Sequence, residues 1–136
     1  MDIWSKEKRS YVMSKIRSKN TTPEKKVRSL LHHMGYRFRL HLKNLPGKPD
    51  IVLSKYRKVI FIHGCFWHMH KNCIDGKIPK TNYEMWKMKL EKNIKRDKVN
   101  IKNLKKENWK ILILWECEIE KDIEKVKNRL IYFFSK

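Results

Sequence analysis

Acidic side chains are scarce in this 136-residue sequence: Asp and Glu total 14 against 34 Lys and Arg, leaving a formal charge of +20. Such an excess repels itself in a compact chain and calls for a polyanionic partner, nucleic acid first and an anionic lipid surface second. Phosphate contacts supply affinity without reading bases or doing chemistry, so a specific function must come from other residues. Long apolar runs are lacking; the longest, Ile111 to Trp115, falls far short of the ~20 residues of a membrane span. Nor do the first residues hold the apolar core of a signal peptide, and a cytoplasmic protein is expected. Cysteine is limited to Cys65, Cys73 and Cys117, an odd number that excludes full disulfide pairing and points to metal-bound or free thiols. Glycine and proline number four each, and no repeat or Gly/Ser linker divides the chain.

What is present fits one domain. Residues 1–20 read as a basic DNA-binding arm with scattered apolar groups, Met13 among them. Residues 21–136 read as a single α/β domain. Thr21-Thr22-Pro23-Glu24 is a helix start with a capping box, followed by Val27, Leu30, Leu31 and Met34 at helical spacing and a stop at Gly35. Strands are expected at Tyr36 to His41, Asp50 to Leu53 and Val59 to His63, then an irregular loop from Gly64 to Thr81. A long helix from about Asn82 to Asn108 carries the stripe Tyr83, Trp86, Leu90, Ile94, Ile101 and Leu104, with Asp97 set within it. Lys110 to Trp115 reads as a strand buried on both faces, and Ile119, Ile123, Val126, Leu130 and Phe133 as one closing helix. The predicted order is α-β-β-β-α-β-α.

Several residues in this frame could carry chemistry. Cys65, His70 and Cys73 lie close together in the irregular loop, and Cys117 follows the last strand; together they make a Cys3His set suited to structural zinc, against the alternative of buried thiols and an exposed histidine. His63 and His68 are candidates for proton transfer. Asp50, at the mouth of a hairpin, is placed either to hold Mg²⁺ against a phosphate or to bond its own turn. Asp97 is costly to bury unpaired, so it either orients His68 or turns outward beside Arg96 and Lys98. Phe66 and Trp67 are adjacent and cannot both face one core, so one is free to wedge into DNA; Trp86 and Met13 are further wedge candidates, Trp86 also fitting the core.

The strings Gly47-Lys48-Pro49-Asp50-Ile51-Val52, His63-Gly64-Cys65-Phe66-Trp67-His68 and Ile113-Leu114-Trp115-Glu116-Cys117 closely resemble the bacterial very short patch repair endonucleases, with similarity from about Arg9 to the last helix. The resemblance implies a restriction-endonuclease-like α/β core and a nick 5′ of the thymine in a T:G mismatch left by deaminated 5-methylcytosine. By position it makes Asp50 the Mg²⁺ carboxylate, helped by the Ile62 carbonyl. It assigns His63 and His68 to water and phosphate, Asp97 to orienting His68, and Glu24 to a further acidic active-site position. It makes Cys65, His70, Cys73 and Cys117 structural zinc ligands, and Phe66, Trp67, Trp86 and Met13 the residues that wedge at the mismatch. Such folds usually carry Glu and Lys after the metal aspartate; here Phe61-Ile62-His63 stands there, so histidines must take the lysine's charge role. The implied partners are mismatched duplex DNA, a cytosine-5 methyltransferase as functional companion and a mismatch-repair mediator, with a monomer as the acting form. A non-catalytic zinc-stabilised DNA binder and a restriction-type nuclease are the competing readings.

Overall fold

A computed structural model of the protein describes residues 21–65, 68, 70 and 77–136. The arm of residues 1–20 with Met13, and the loop residues Phe66, Trp67 and Cys73, lie outside the described residues. The first helix, α1 (Thr22–His33), begins where the capping pattern places it: the Glu24 N–H donates to Thr21 Oγ1 at 3.4 Å. It ends on Gly35, whose φ of +85° turns the chain back. Of the strand expected over Tyr36 to His41, β1 keeps only Arg39–Leu40. The alternating Tyr36 and Phe38 pack on the core instead, Tyr36 stacking on Phe134 at 4.0 Å.

β2 (Ile51–Leu53) and β3 (Lys58–His63) follow, joined by a 3₁₀ turn at Ser54–Tyr56 and by Arg57 in the left-handed region. Next come α2 (Tyr83–Lys106), β4 (Lys110–Trp115), α3 (Glu116–Lys121) and α4 (Ile123–Phe134). The single closing helix expected from periodicity is thus two. The break falls at Asp122, whose side chain accepts the Lys125 N–H at 3.1 Å and starts α4 afresh, while the same apolar stripe runs through both. The order β1-β2-β3-β4 makes a four-stranded mixed sheet, antiparallel except for the parallel pair β3 and β4, which α2 connects as a crossover.

The period of two in a strand divides the core between the two faces of the sheet. Ile51, Leu53, Ile60, Ile62 and Leu114 face Val27 and Leu31 of α1, Ile119 of α3, and Val126 and Leu130 of α4. Val52, Val59 and Phe61 face the other way, against Leu104 and Trp109. Two expectations need correcting. β4 ends the described sheet and is only partly buried outside Leu114, because no fifth strand among the described residues covers its far side. Tyr83, expected in the buried stripe, is 43% exposed, because it lies in the first turn of α2, beyond the sheet; Leu90 and Leu104 are the buried members. Among the described residues no helix is long and apolar enough to cross a membrane.

Leu114 is fully buried in the larger cluster. Leu114→Ala should cost about 2–5 kcal/mol in denaturant unfolding; a loss below about 1 kcal/mol would show that β4 is not part of the cooperative core.

Candidate active site

Sheet topology gathers the polar candidates at one rim. β2 runs antiparallel to β3, so the residue before β2, Asp50, lies beside the end of β3; β4 runs parallel, so Trp115 is level with His63. Glu24 from the first turn of α1, Asp97 from α2 and His68 from the loop after β3 join them in lining a cleft of about 800 Å³. Lys43, Lys48, Lys89 and Arg96 also line it. The cleft therefore mixes buried acid with cationic walls, the arrangement that suits a phosphate chain bearing on a carboxylate.

The loop before Asp50 is pressed against α2 at Gly47. With φ at +75°, a Cβ there would lie 3.0 Å from Asn100 Cβ and 3.2 Å from Phe61 Cζ, so glycine alone fits. Asp50 itself is fixed from β3: the Ile62 N–H donates to its Oδ2 at 2.6 Å. In a strand the N–H and C=O of one residue face the same neighbour, which puts the Ile62 carbonyl on the Asp50 side. Burial pushes the Asp50 carboxyl up to about 7; the Ile62 hydrogen bond and Arg28 hold it back, and Glu24 adds to the rise.

His63 and His68 stack face to face, centroids 3.8 Å apart and planes 6° off parallel. His68 Nδ1 lies 2.5 Å from Asp97 Oδ2. Burial, then the neighbouring His68, pushes the His63 imidazole down to about 3 against the pull of Asp97, so it is neutral at physiological pH. Its Nδ1 is buried with no hydrogen-bond partner among the described residues.

Behind these rings stand Cys65, His70 and Cys117. His70 Nδ1 is 3.7 Å from Cys65 Sγ and 3.3 Å from Cys117 Sγ, and the three donor atoms lie within 4.8 Å of one another. Sulfur and nitrogen donors on one tetrahedral zinc sit about 3.5 Å apart, so these three fit the ion; Cys73 is outside the described residues. Trp115 separates the two groups, stacked on His70 at 4.1 Å and edge-on to His63 at 5.1 Å. Trp86, half-buried in the first turn of α2, lies under Lys89 Nζ, 5.6 Å from its ring.

Two residues at the site escaped the sequence reading. His41 lies 3.4 Å from Glu24 Oε2 through Nε2 and 3.7 Å from Asp50 Oδ1 through Nδ1. Arg28 NH2 meets the same Glu24 oxygen at 3.0 Å. His41 sits nine positions from Asp50 in a basic stretch, and only cross-strand pairing reveals it.

A family model described as DNA mismatch endonuclease Vsr matches residues 1–74. The chain is 50% identical over 129 residues to the type II nicking enzyme V.XorIIP of Xanthomonas oryzae, across 95% of this chain and 93% of that protein. It is 44% identical over 118 residues to DNA mismatch endonuclease Vsr of Escherichia coli, across 87% of this chain and 75% of that protein. Among solved structures, the catalytic domain of homing endonuclease I-Bth0305I shares the fold with a TM-score of 0.58 at 22% identity, over 85% of this chain and 96% of that chain.

Because the Asp50 carboxyl is raised from 3.8 to about 7 in the folded chain, its protonated form is favoured by folding. Its contribution is intact below about pH 4 and is lost as pH rises toward 7, where the buried charge must form. In chelator, Asp50→Asn should therefore raise unfolding stability at pH 8 by about 2–4 kcal/mol, a gain that shrinks steadily as pH falls toward 4. Equal stability of the two proteins at pH 8 would show that Asp50 carries no burial penalty.

Proposed function

The chain belongs to the DNA mismatch endonuclease Vsr family, and from that premise we propose that it nicks one strand of duplex DNA 5′ of the thymine in a T:G mismatch, with Mg²⁺ at Asp50. The observation that carries this reading is the convergence of Asp50, Glu24, His63, His68 and Asp97 on one cleft with lysine and arginine walls. Asp50, with the Ile62 carbonyl beside it, would hold Mg²⁺; the ion supplies positive charge to the phosphate and to the leaving 3′ oxygen.

Everything else falls to the chain's own groups. Asp97 fixes the His68 ring through Nδ1, leaving Nε2 to take a proton. A proton taken by His68 from the attacking water leaves the Asp97 carboxylate to balance the new charge. Stacked His63, held neutral, keeps a second cation away from that ring and so keeps His68 able to accept. In-line attack forms a new P–O bond and breaks the bond to the 3′ oxygen, which takes a proton from solvent water, giving a 3′ hydroxyl and a 5′ phosphate. Lys43, Lys48, Lys89 and Arg96 grip flanking phosphates. Trp86, with Phe66, Trp67 and Met13, wedges at the mismatch, where imperfect pairing makes unstacking least costly.

Zinc on Cys65, His70, Cys73 and Cys117 would tie the loop that carries His68 to the end of β4. The substrate reading connects the protein to a cytosine-5 methyltransferase, whose product deaminates to thymine, and to a mismatch-repair mediator downstream.

End-labelled duplexes with one T:G pair in varied contexts, beside matched T:A duplexes, test the reaction in Mg²⁺. A nick 5′ of the mismatched T is expected, and Asp50→Ala should lower its rate at least about a thousandfold with duplex binding unchanged. Cutting of both strands, or full activity of the variant, would overturn the reading. Separately, Cys117→Ala should purify with less zinc and a lower melting temperature; an unchanged metal content would remove Cys117 from the ligand set.

A further inference from the structure

The Glu24, His41 and Asp50 cluster holds more than the two carboxylates. His41 directly follows β1, opposite Asp50, and its backbone N–H donates to the Asp50 carbonyl at 3.2 Å. Its φ of +49° is unusual for a residue with a side chain, and it directs the ring into the cleft. Each ring nitrogen then meets a different carboxylate, with donor atoms of all three residues within 4.8 Å of one another.

The two nitrogens differ in geometry. Nδ1 is 3.7 Å from Asp50 Oδ1, too long for a hydrogen bond. Two donors on one cation, each about 2.1–2.2 Å from it, lie roughly 3.0–3.7 Å apart at angles between 90° and 120°, so this spacing suits a shared ion. Nε2 lies 3.4 Å from Glu24 Oε2, an ion-pair distance long for a hydrogen bond. A metal-bound histidine commonly donates its other N–H to a carboxylate, which sets the tautomer and the ring plane. Arg28 NH2 lies 3.0 Å from the same Glu24 oxygen and 3.2 Å from Nε2; the tautomer that frees Nδ1 for a cation places the ring hydrogen on Nε2 beside Glu24 and leaves Arg28 donating to Glu24, whose buried charge the guanidinium balances.

We propose that His41 Nδ1 is a direct ligand of the divalent cation at Asp50, with Glu24 acting on the ring through Nε2 rather than on the ion. The inference rests on the reading of Asp50 as the cation carboxylate. It also has a consequence for ion choice. Mg²⁺ favours oxygen donors, whereas an imidazole moves a site toward Mn²⁺ and later first-row ions, so this chain binds Mn²⁺ in preference to Mg²⁺.

The test uses the full chain and Mn²⁺ alone, without DNA, read by pulsed electron paramagnetic resonance and by titration calorimetry. Bound Mn²⁺ should show imidazole nitrogen coupling in the parent protein. His41→Gln should remove that coupling, weaken Mn²⁺ about tenfold, and leave Mg²⁺ affinity within about threefold. ¹⁵N-labelled histidine in the unmutated chain should change the coupling, which guards against a variant that fails to fold. Asp50-dependent Mn²⁺ binding without nitrogen coupling would overturn the role of His41 and leave Asp50 as the cation site. Coupling that persists in His41→Gln would do the same and assign the nitrogen to His63 or His68. If Asp50→Asn leaves Mn²⁺ binding unchanged, it is the underlying cation reading that has failed.

Discussion

The parallel pairing of β3 with β4, in the register that sets His63 level with Trp115, is the constraint on which the rest of the site depends. Parallel neighbours cannot be joined by a tight turn, so the chain must leave the rim after His63, cross the sheet as a helix, and re-enter at Lys110. The crossover delivers Asp97 to the cleft at mid-helix. The exit delivers Cys65, His68 and His70 beside it, and the end of β4 brings Cys117 back to the place the chain had left. A slip of one residue in this ladder would turn Ile60 and Ile62 out of the larger core cluster and His63 out of the cleft together, so burial and site geometry enforce the same register.

The electrostatics of the cleft run against those of the chain. A protein of +20 charge keeps Glu24 at 2% exposure and Asp50 nearly buried, within a few ångströms of each other through His41. Arg28 compensates Glu24, but the Asp50 carboxyl remains raised by burial. His63 is displaced in the opposite sense, held neutral where a charged imidazole would face a second histidine. Burial thus displaces both groups toward their neutral forms, upward at Asp50 and downward at His63. A positive charge placed at Asp50 would favour its ionised form and deepen the neutrality of the nearby rings.

Much of this was legible in the sequence because much of it is periodic or local. α1 could be read from Thr21 and Pro23 at its start and Gly35 at its end, and β3 from an unbroken apolar run. Asp97 announced itself as a carboxylate in an apolar stripe, and the structure places it on His68. What escaped has a common cause. His41 and Arg28 belong to no motif; a positive φ at one residue and a turn of helix at the other aim them at Asp50 and Glu24. The two-residue β1 was overestimated because Tyr36 and Phe38 alternate like a strand while their partners are helical side chains. The break at Asp122 hid within a stripe that continues across it. Linear spacing registers neither a cap inside a periodic run nor a contact between opposed strands.

His68 shows why the cysteines and the histidines need each other. It is held in the loop by its N–H to the Gly64 carbonyl at 3.2 Å, and the next ring, His70, by its N–H to the Cys65 carbonyl at 3.0 Å. No sheet ladder fixes these positions, yet a hydrogen bond to Asp97 demands that the His68 ring stand to within a fraction of an ångström. The stiffness must come from side chains: His70 between two sulfurs on one side and the Trp115 ring on the other, with His63 stacked in turn against His68. Position is thus passed from β4 to Trp115, from Trp115 to His70, to His63 and edge-on to His68, and from His63 to His68. Cys65 is itself 3% exposed, and His70 stands between it and Cys117, so loosening the cysteine cluster would release the His68 ring together with the end of β4.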